Sequence, residues 1–329
     1  MVVDSQNIVI GIDGGGTHTR VMIADLSGKI LSYLEKKAAA SLEKDLFAQK
    51  NVHEAVVEAI AAAGRALPDV RGIAAGIAGY DSGRDLQWVE SLTDISGLSC
   101  PKWHMNDTVA AHYGAFMSKP GIVVISGTGS NILAVTEQGR YICNYDLHHY
   151  AASAARFIVY DAVYEALAGN VHETDGELIR SMLLHWGVSS MEELREVACT
   201  GFLADSRERN KKFGQLAPAI TEAARQDSRL ARTVCDRAIH QITVGVEILA
   251  AYFSGPSVSV AFIGSVANSP YFREQLIGRL RSGNNKAYAV IDPYLPPAAG
   301  SVLFALEKMN IPVSEAVINN LQKFSSAMI

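Results

Sequence analysis

A glycine-rich turn near the start of the chain carries residue types that bind phosphate. An apolar run ends at Asp13, Gly14-Gly15-Gly16 follows, and Thr17 leads into a second apolar run. Glycines let backbone N–H groups approach an anion, Thr17 adds a hydroxyl donor, and the Asp13 carboxylate could hold a hydrated Mg²⁺. The alternative is an ordinary glycine-rich hairpin in which Asp13 is a turn former.

Two common phosphate-binding motifs do not fit this turn. A Walker A loop requires a lysine and a following helix, and the stretch has neither. A Rossmann fingerprint also leads into a helix, whereas Thr17–Ala24 alternates and is rich in β-branched residues like a strand. The stretch is therefore predicted to be strand, glycine turn, strand, with any phosphate bound at a hairpin.

A second turn of the same kind lies further along the chain. Ile122–Ile125 is a predicted buried strand, Gly127-Thr128-Gly129 forms the turn, and Ile132–Val135 is the next strand. One Gly-Thr-Gly sequence is weak evidence, but two such units at matching places in two halves are far less expected by chance. Two hairpins, one per half, are predicted to hold a polyphosphate from both sides.

A third glycine turn follows the predicted strand Val258–Ile263. The strand runs into Gly264-Ser265-Val266, and a helix is predicted to begin at Ser269-Pro270, a cap residue followed by proline. A nucleotide base and ribose can lie at such a strand–turn–helix connection. The alternative is an ordinary β–α connection without a ligand.

Length and composition limit the class of protein. The chain has 329 residues, and single cores stop growing at about 250–300 residues, so about two domains are expected. The net charge of −5 gives no pattern for binding nucleic acid or an anionic membrane. There is no apolar run of the ~20 residues that span a bilayer, no signal-peptide pattern and no paired cysteine motif, so we expect a cytoplasmic protein with free thiols.

The order of predicted elements divides the chain into two α/β halves. Residues 1–118 are predicted to contain β-β-β-α-β-α-β-α, and the Ser118–Gly121 stretch is a predicted boundary. Residues 119–311 open with the second hairpin and include a long helical insertion. A C-terminal helix within residues 312–329 is a candidate to pack back on the first domain.

Four motifs, taken in order, resemble those of a known family. They are Gly11–Thr17, Asn106-Asp107, the GIVVISGTGSN stretch Gly121–Asn131, and Gly264-Ser265-Val266. The chain resembles the N-acetylglucosamine kinase and BadF/BadG/BcrA/BcrD ATPase group of the actin/hexokinase/Hsp70 superfamily over nearly its whole length. This resemblance implies two ribonuclease-H-like (actin-like ATPase) domains of α/β class, with a nucleotide cleft between them.

The resemblance also implies a role for each motif. Asp13 is expected to hold Mg²⁺ through water, and Asp107 stands where such sugar kinases place the general base that takes a proton from the attacking hydroxyl. From the residues alone, Asp107 is also a candidate helix N-cap, and the two roles are compatible. The residues expected to bind ATP are Asp13, Gly14, Gly15, Gly16, Thr17, Gly127, Thr128, Gly129, Gly214, Gly264 and Ser265. Those expected to bind the substrate are Ser41, Asn106, Asp107, Ser130, Asn131, His148 and His149.

The sequence departs from the family pattern on the substrate side. Sugar kinases of this group usually carry Gly-Asp-Glu-Gly-Ser after GTGSN, and here Ala151-Ala152-Ser153-Ala154 stands at that place, with Arg156 replacing an aromatic residue. The usual Ser-Asn of an earlier substrate loop is also missing, since Ala40-Ser41-Leu42-Glu43 stands there. The local side chains are donors more than acceptors, which favours an acidic or otherwise modified amino sugar over a neutral one.

The adjacent histidines His148 and His149 have three interpretations. The first is that they are surface loop residues, the second that they line an altered substrate pocket, and the third that they bind a metal. Adjacent histidines point apart on most backbones, and no Cys, Asp or Glu spacing completes a zinc set, so metal ligation is disfavoured.

These features predict an ATP-dependent sugar kinase that transfers the γ-phosphate to a hydroxyl of an amino sugar or related sugar, with ATP and Mg²⁺ as cofactors. The alternative is a non-kinase ATP-binding protein, either a ligand sensor or regulator or a BadF-type ATPase that has lost the sugar-phosphorylating site. The redox-activator branch is disfavoured because GTGSN is present and the cysteines lack cluster spacing. The expected partner is a small-molecule sugar, without nucleic acid or membrane, and a homodimer is left open.

Overall fold

The computed structural model describes residues 6–39 and 46–325 of the chain. The predicted substrate loop, which includes Ser41, lies outside these residues. The chain divides into two compact units, Met1–Gly121 with Asp292–Ile329 and Ile122–Ile291. Among the described residues, no helix has both the length and the apolar character needed to span a bilayer.

The described strands form two sheets, one in each unit. They are β1 (Ile8–Gly14), β2 (His18–Asp25), β3 (Ile30–Lys37), β4 (Val70–Ile77), β5 (Lys102–Asn106), β6 (Gly121–Ser126), β7 (Ser130–Val135), β8 (Tyr141–Cys143), β9 (Ser257–Ile263) and β10 (Ala287–Ile291).

The described helices connect and cover these strands. They are α1 (Leu46–Ala62), α2 (Leu86–Ser91), α3 (Asp107–Phe116), α4 (Ala155–Leu167), α5 (Gly176–Trp186), α6 (Met191–Cys199), α7 (Ser206–Gln215), α8 (Ala217–Arg225), α9 (Arg229–Ala250), α10 (Pro270–Arg281), α11 (Pro297–Lys308) and α12 (Glu315–Ser325).

The sheet of the first unit has the strand order β3-β2-β1-β4-β5. β1 pairs antiparallel with β2 and parallel with β4, and β5 is parallel to β4. The side chains of β1 alternate between the two faces of the sheet, with Ile8, Ile10 and Ile12 in one core and Val9 in the other. Because both faces are covered, β1 is buried along its whole length.

The sheet of the second unit has the order β10-β9-β6-β7-β8. Counted from the first strand of each unit, both sheets have the order third, second, first, fourth, fifth. In both units a glycine turn joins the first strand to the second. The two halves suggested by the repeated turns therefore share one topology, and the predicted α/β fold class is confirmed.

Helix α11 packs on the first sheet, although sequence reasoning assigned residues 292–311 to the second domain. A methyl group at Gly11 of β1 would overlap the carbonyl oxygen of Ala298, and one at Gly300 would overlap that of Ala110. These two glycines let the backbone of α11 come into contact with the backbones of β1 and α3. Ser301 Oγ also donates a 2.8 Å hydrogen bond to the carbonyl of Ile12. The first unit therefore resumes at Asp292, before the predicted residue 312.

Helix α12 completes the same face of the first unit. Val317 and Leu321 are buried in the core that also contains Val302 of α11. Asn320 Nδ2 donates to the carbonyl of Ser27 at 3.0 Å. The C-terminal helix thus packs on the first unit.

Candidate active site

The first glycine turn connects β1 and β2, as the sequence predicts. The N–H of Gly15 donates to the carbonyl of His18 at 2.8 Å and closes the turn. A methyl group at Gly14 would lie 2.6 Å from Ile77 Cδ1 and 2.9 Å from Ala39 Cβ, so a side chain there would displace these neighbours. Gly16 and Thr17 are exposed at the tip. The turn therefore presents accessible backbone, which is what a phosphate oxygen requires.

Asp13 lies at the end of β1 and forms an ion pair with Arg20 of β2. The register places these residues directly opposite each other, and Arg20 Nη1 donates to Asp13 Oδ2 at 3.1 Å. Arg20 Nε donates to Glu35 Oε2 of β3 at 2.9 Å, and His18 Nδ1 lies 2.8 Å from Glu35 Oε1. A row of alternating charges therefore crosses three strands beside the glycine turn.

The environment of Asp13 suits a carboxylate that meets a cation. Asp13 is 7% exposed, and burial raises its pKa; the Arg20 charge and hydrogen bond oppose that shift, while the Glu35 charge adds to it. Within the described part of the chain, Asp13 Oδ1 has no hydrogen-bond partner. One oxygen is thus held by Arg20, and the other remains for a water or a hydrated ion.

Asn106, rather than Asp107, is the N-cap of α3. Asn106 Oδ1 accepts a hydrogen bond from the N–H of Thr108 at 2.9 Å, while its Nδ2 donates to Asp81 Oδ1 at 2.9 Å and to the carbonyl of Tyr80 at 3.2 Å. Asn106 therefore fixes the helix start and the loop after β4, and the substrate contact predicted for it stays a prediction. The Asp107 carboxylate is therefore not the cap of this helix.

Asp107 is placed close to the sheet by a glycine. A methyl group at Gly76 of β4 would lie 2.5 Å from Ala110 Cβ and 3.4 Å from Asp107 Cα, so α3 can start against β4 only because Gly76 has no side chain. β1, β4 and β5 run parallel. Asp13, Asp81 and Asp107 accordingly gather at the carboxyl ends of these strands, where α/β sheets bind ligands.

The pKa of Asp107 is raised to about 7. Burial is the largest cause, the negative charges of Asp13 and Asp81 add to it, and hydrogen bonds from Thr108 oppose it. Loss of surrounding water and the charge of Asp85 also raise the pKa of Asp81. A carboxyl group with a pKa near neutrality can take up and release a proton at physiological pH, as a general base does.

The second glycine turn connects β6 and β7 in the second unit. The N–H of Gly127 donates to the carbonyl of Gly129 at 2.9 Å, and the carbonyl of Gly127 accepts from the N–H of Ala155 at 2.7 Å. A methyl group at Gly129 would meet no atom within 4 Å, so the space beside this residue is open. The turn is tied to the start of α4 on one side and is accessible on the other.

The third glycine motif touches the second turn. A methyl group at Gly127 would lie 3.5 Å from Gly264 Cα and 3.5 Å from Ser265 N. Gly264 has a φ of 100°, and a side chain there would overlap the carbonyl of Ser126, so only glycine fits. Gly214 of α7 lies near the same place, because a methyl group on it would be 3.7 Å from Ala155 Cβ. The structure thus brings together the nucleotide motifs that sequence reasoning placed in this unit.

Residues 10–305 match the sequence profile of the BadF/BadG/BcrA/BcrD ATPase family. The chain belongs to this family. Over 135 residues it is 31% identical to the N-acetylmuramic acid/N-acetylglucosamine kinase of Clostridium acetobutylicum, and the aligned segment is 40% of this chain and 44% of that protein. The match thus spans less than half the length of this curated relative.

Two solved structures share the fold of this family member. A candidate N-acetylglucosamine kinase from Chromobacterium violaceum matches with a TM-score of 0.72 and 22% identity, over 91% of this chain and 99% of that chain. A ROK family glucokinase from Streptomyces griseus, in complex with glucose and AMPPNP, matches with a TM-score of 0.56 and 19% identity, over 91% and 98%. At such identities the likeness shows the fold alone. The resemblance inferred from the motifs is confirmed for family and fold.

The segment that replaces the acidic family motif folds against the second turn. Ser126 Oγ donates to the carbonyl of Ser153 at 2.6 Å, and both residues are buried. Ala151 is also buried, whereas Ala152 is exposed. Residues 151–154 contain no carboxylate, so their side chains supply no acceptor of that kind for sugar hydroxyls.

The predicted substrate residues of the second unit have different surroundings. Tyr145 Oη donates to the carbonyl of Ser130 at 2.9 Å, and Cys143 Sγ donates to Asn131 Oδ1 at 2.8 Å. His148 is exposed, and its Nδ1 lies 3.4 Å from Tyr150 Oη. Ser130, Asn131 and His148 therefore belong to or contact one aromatic segment, residues 143–150, which contains the paired rings of Tyr145 and Tyr150.

His149 faces the interior of its unit. Both ring nitrogens are buried and have no hydrogen-bond partner among the described residues, and burial lowers the pKa of the ring. A methyl group at Gly245 of α9 would lie 3.1 Å from His149 Nδ1, so the ring packs against this helix. In this conformation the ring nitrogens of His149 are not accessible, which is unfavourable for the predicted substrate contact.

Sequence reasoning missed Arg20 and Asp81. Strand alternation places Arg20 on the same side of the sheet as Asp13, so the hairpin register would have found the pair. Asp81 follows Ala78-Gly79 at the end of a buried strand, and the carboxyl ends of neighbouring parallel strands share one edge of the sheet. That rule would have placed Asp81 beside the end of β5, where Asp107 begins its helix.

Proposed function

We propose that the protein is an ATP-dependent kinase that phosphorylates a hydroxyl group of an amino sugar. The observation that carries this proposal is the Asp107 carboxylate, half-buried at the start of α3, free of the capping role and with a pKa of about 7. Family membership supports ATP as the phosphoryl donor. The name of the curated relative, which covers N-acetylmuramic acid and N-acetylglucosamine, supports an amino sugar as the acceptor.

In this proposal Asp107 takes the proton of the attacking sugar hydroxyl while the hydroxyl oxygen bonds to the γ-phosphorus. The bond between that phosphorus and the β,γ-bridging oxygen breaks, and ADP leaves with the electron pair. Phosphoryl transfer depends on positioning and on neutralising charge. Gly14–Thr17 and Gly127–Gly129 would hold the phosphates, while Gly264, Ser265 and Gly214 would contact the adenosine. The proposal therefore requires residues of both units.

Asp13 is proposed to hold Mg²⁺ through water. Its Oδ1 lacks a protein partner among the described residues, and neighbouring carboxylates raise the pKa of Asp107. A cation at this edge would relieve that repulsion. In the described ranges, no group of three Cys, His, Asp or Glu side chains is placed to hold a metal directly. When bound, Mg²⁺ would neutralise phosphate charge.

The proposed acceptor is an amino sugar with an acidic or otherwise modified substituent. A buried carboxylate that accepts sugar hydroxyls contributes about 1.5–3 kcal/mol per bond, and residues 151–154 supply none. The neighbouring side chains include Tyr145 and His148, which are mainly donors. Donors suit a substrate that carries its own carboxylate or ether oxygen.

An ADP-release assay across neutral and acidic amino sugars tests the proposal. We expect ADP release that depends on the sugar, with higher kcat/KM for N-acetylmuramic acid than for N-acetylglucosamine. Asp107→Asn is the matched control, since the amide has the same shape but cannot take the proton. Equal release with and without every sugar contradicts the kinase proposal. Efficient use of plain N-acetylglucosamine contradicts the proposed acidic preference only.

The second candidate function is an ATP-binding sensor or regulator without phosphoryl transfer. The observation that favours it is residues 151–154, which fold against the phosphate turn and offer no carboxylate for a sugar. ATP binding measured by calorimetry, together with the absence of ADP release on every sugar, would select this function.

A further inference from the structure

Arg156 lies beside the second glycine turn. It is half-buried in the first turn of α4, its Nη1 donates to the carbonyl of Thr128 at 3.2 Å, and its guanidinium carbon lies 4.3 Å from the centre of the Phe157 ring. Within the described part of the chain, no carboxylate pairs with this guanidinium. The charge of Arg156 is therefore held at the turn and is not neutralised there.

The backbone around Arg156 is anchored to the same turn. The N–H of Ala155 donates to the carbonyl of Gly127 at 2.7 Å. The bond from Ser126 Oγ to the Ser153 carbonyl fixes the preceding segment. Since one of the guanidinium N–H groups binds Thr128 and the ring of Phe157 supports its face, the position of the charge is set while other N–H groups remain available.

The glycine turns lack a cation of their own. Neither Gly14–Thr17 nor Ser126–Asn131 contains a lysine or an arginine. Phosphoryl transfer needs positive charge close to the phosphates, and the planar guanidinium fork matches phosphate oxygens. A methyl group at Gly129 would meet no atom within 4 Å, so the space beside the turn is open to a ligand.

We propose that Arg156 binds a phosphate oxygen of the nucleotide and supplies the positive charge that the Gly127–Gly129 turn lacks. This rests on the proposed ATP binding and adds a residue to it. The hydrogen bond to Thr128 favours nucleotide phosphates over an acidic group of the acceptor as the ligand of Arg156. Thr128 belongs to the glycine turn and not to the aromatic segment 143–150. An acceptor contact is the competing outcome of the test.

Calorimetry with ATP, ADP and adenosine, on the full chain with Mg²⁺, tests the role. Arg156→Gln should weaken ATP and ADP binding about tenfold to hundredfold, as expected for one hydrogen bond between charged groups, and should leave adenosine binding unchanged. Arg156→Lys keeps the charge without the fork and should lose less. Arg140→Gln is the matched control, since Arg140 lies over Tyr252 in the same unit and has no hydrogen bond to the turn.

Several outcomes overturn the proposal. Unchanged ATP affinity in Arg156→Gln does so, as does an equal loss for ATP and adenosine, which would indicate a structural role. A raised KM for an acidic sugar with unchanged ATP affinity would assign Arg156 to the acceptor. Failure of the wild-type chain to bind ATP overturns both this proposal and the kinase. ATP binding that depends on Arg156, without turnover of any sugar, supports this proposal and contradicts the kinase alone.

Discussion

Asn106 Nδ2 donates a hydrogen bond to Asp81 Oδ1 at 2.9 Å, and through this contact the loop after β4 is fixed to the helix that carries Asp107. The same amide oxygen caps α3. One side chain therefore determines both where the candidate base stands and how near a second carboxylate lies to it. The electrostatic consequence can be measured in the pH dependence of turnover.

The first prediction concerns the pH profile. Asp107 must be deprotonated to act as a base, and its pKa is raised to about 7, so kcat/KM should rise with pH and level off above that value. Asp81→Asn removes one of the negative charges that raise this pKa, so the rising limb should move to lower pH by a fraction of a unit. Asp94→Asn, at an exposed position in the same unit, is the control and should leave the limb in place. A rising limb that is identical in wild type and Asp81→Asn contradicts the coupling.

The second prediction concerns Asp107 itself. Asp107→Asn should lower kcat by about three orders of magnitude and leave ATP affinity nearly unchanged. The same change should stabilise the fold at high pH, because the raised pKa means that the folded chain ionises Asp107 at a cost. Since Asp107 is only half-buried, we expect a gain of about 1–2 kcal/mol, less than the full shift implies.

The pH dependence of this gain is its internal control. The wild-type carboxyl is protonated in the folded chain below about pH 7 but ionises above 3.8 when unfolded. The free energy of unfolding of the wild type therefore decreases as the pH rises from about 4 to about 7. Thermal unfolding should show a larger difference between variant and wild type at pH 8 than at pH 4. A constant difference would indicate that the variant acts through packing.

The third prediction uses two glycines of the nucleotide motifs. A side chain at Gly129 points into open space, so Gly129→Val should abolish ATP binding and leave Tm close to that of the wild type. At Gly264 the backbone has a φ of 100° and a side chain would overlap Ser126, so Gly264→Ala should lower Tm clearly. Calorimetry and thermal unfolding separate the two effects. Full ATP affinity in Gly129→Val would exclude this turn from the phosphate site.

The fourth prediction concerns the pair Asp13 and Arg20. Arg20→Met leaves a nearly buried carboxylate without its cation, and we expect a loss of about 1–3 kcal/mol of stability at pH 7. Without Arg20 the pKa of Asp13 rises further, so protonation at lower pH should reduce the deficit. Denaturant unfolding at several pH values measures it. The double variant Asp13→Asn with Arg20→Met should be more stable than Arg20→Met alone, and no such recovery would contradict the pairing.

The sequence predicted the parts of the fold that local residue types determine. Asp13 with its glycines and Gly127-Thr128-Gly129 each lie between strands, because glycine, threonine and alternating β-branched residues are themselves the signal. The boundary near residue 292 was not predicted. The contacts that assign α11 to the first unit join Gly11 to Ala298 and Gly300 to Ala110, residues far apart in the chain. No pattern within the helix itself indicates its partner.

The candidate site also combines residues that local sequence predicts with residues that depend on contacts between distant parts of the chain. Asp107 was singled out by type and position, whereas Arg20, the partner of Asp13, depends on strand register and Asp81 on the meeting of two parallel strands. The capping role went to Asn106 because its amide reaches Thr108 N, a choice between adjacent residues that composition does not determine. The inward direction of the His149 ring depends on Gly245, a residue on a distant helix.

The packing of α11 on β1, with α12 completing the same core, has a consequence for how the chain is made. The second unit is continuous, so all of its strands have been synthesised before the last part of the first unit exists. The first unit lacks one covering face until the segment from Ala298 to Leu321 has left the ribosome. Until then the sheet edge that bears Asp13 and Asp107 belongs to an incomplete core. A chain truncated before Val317 would therefore lose part of the core around β1, although β1 itself lies far away in the sequence.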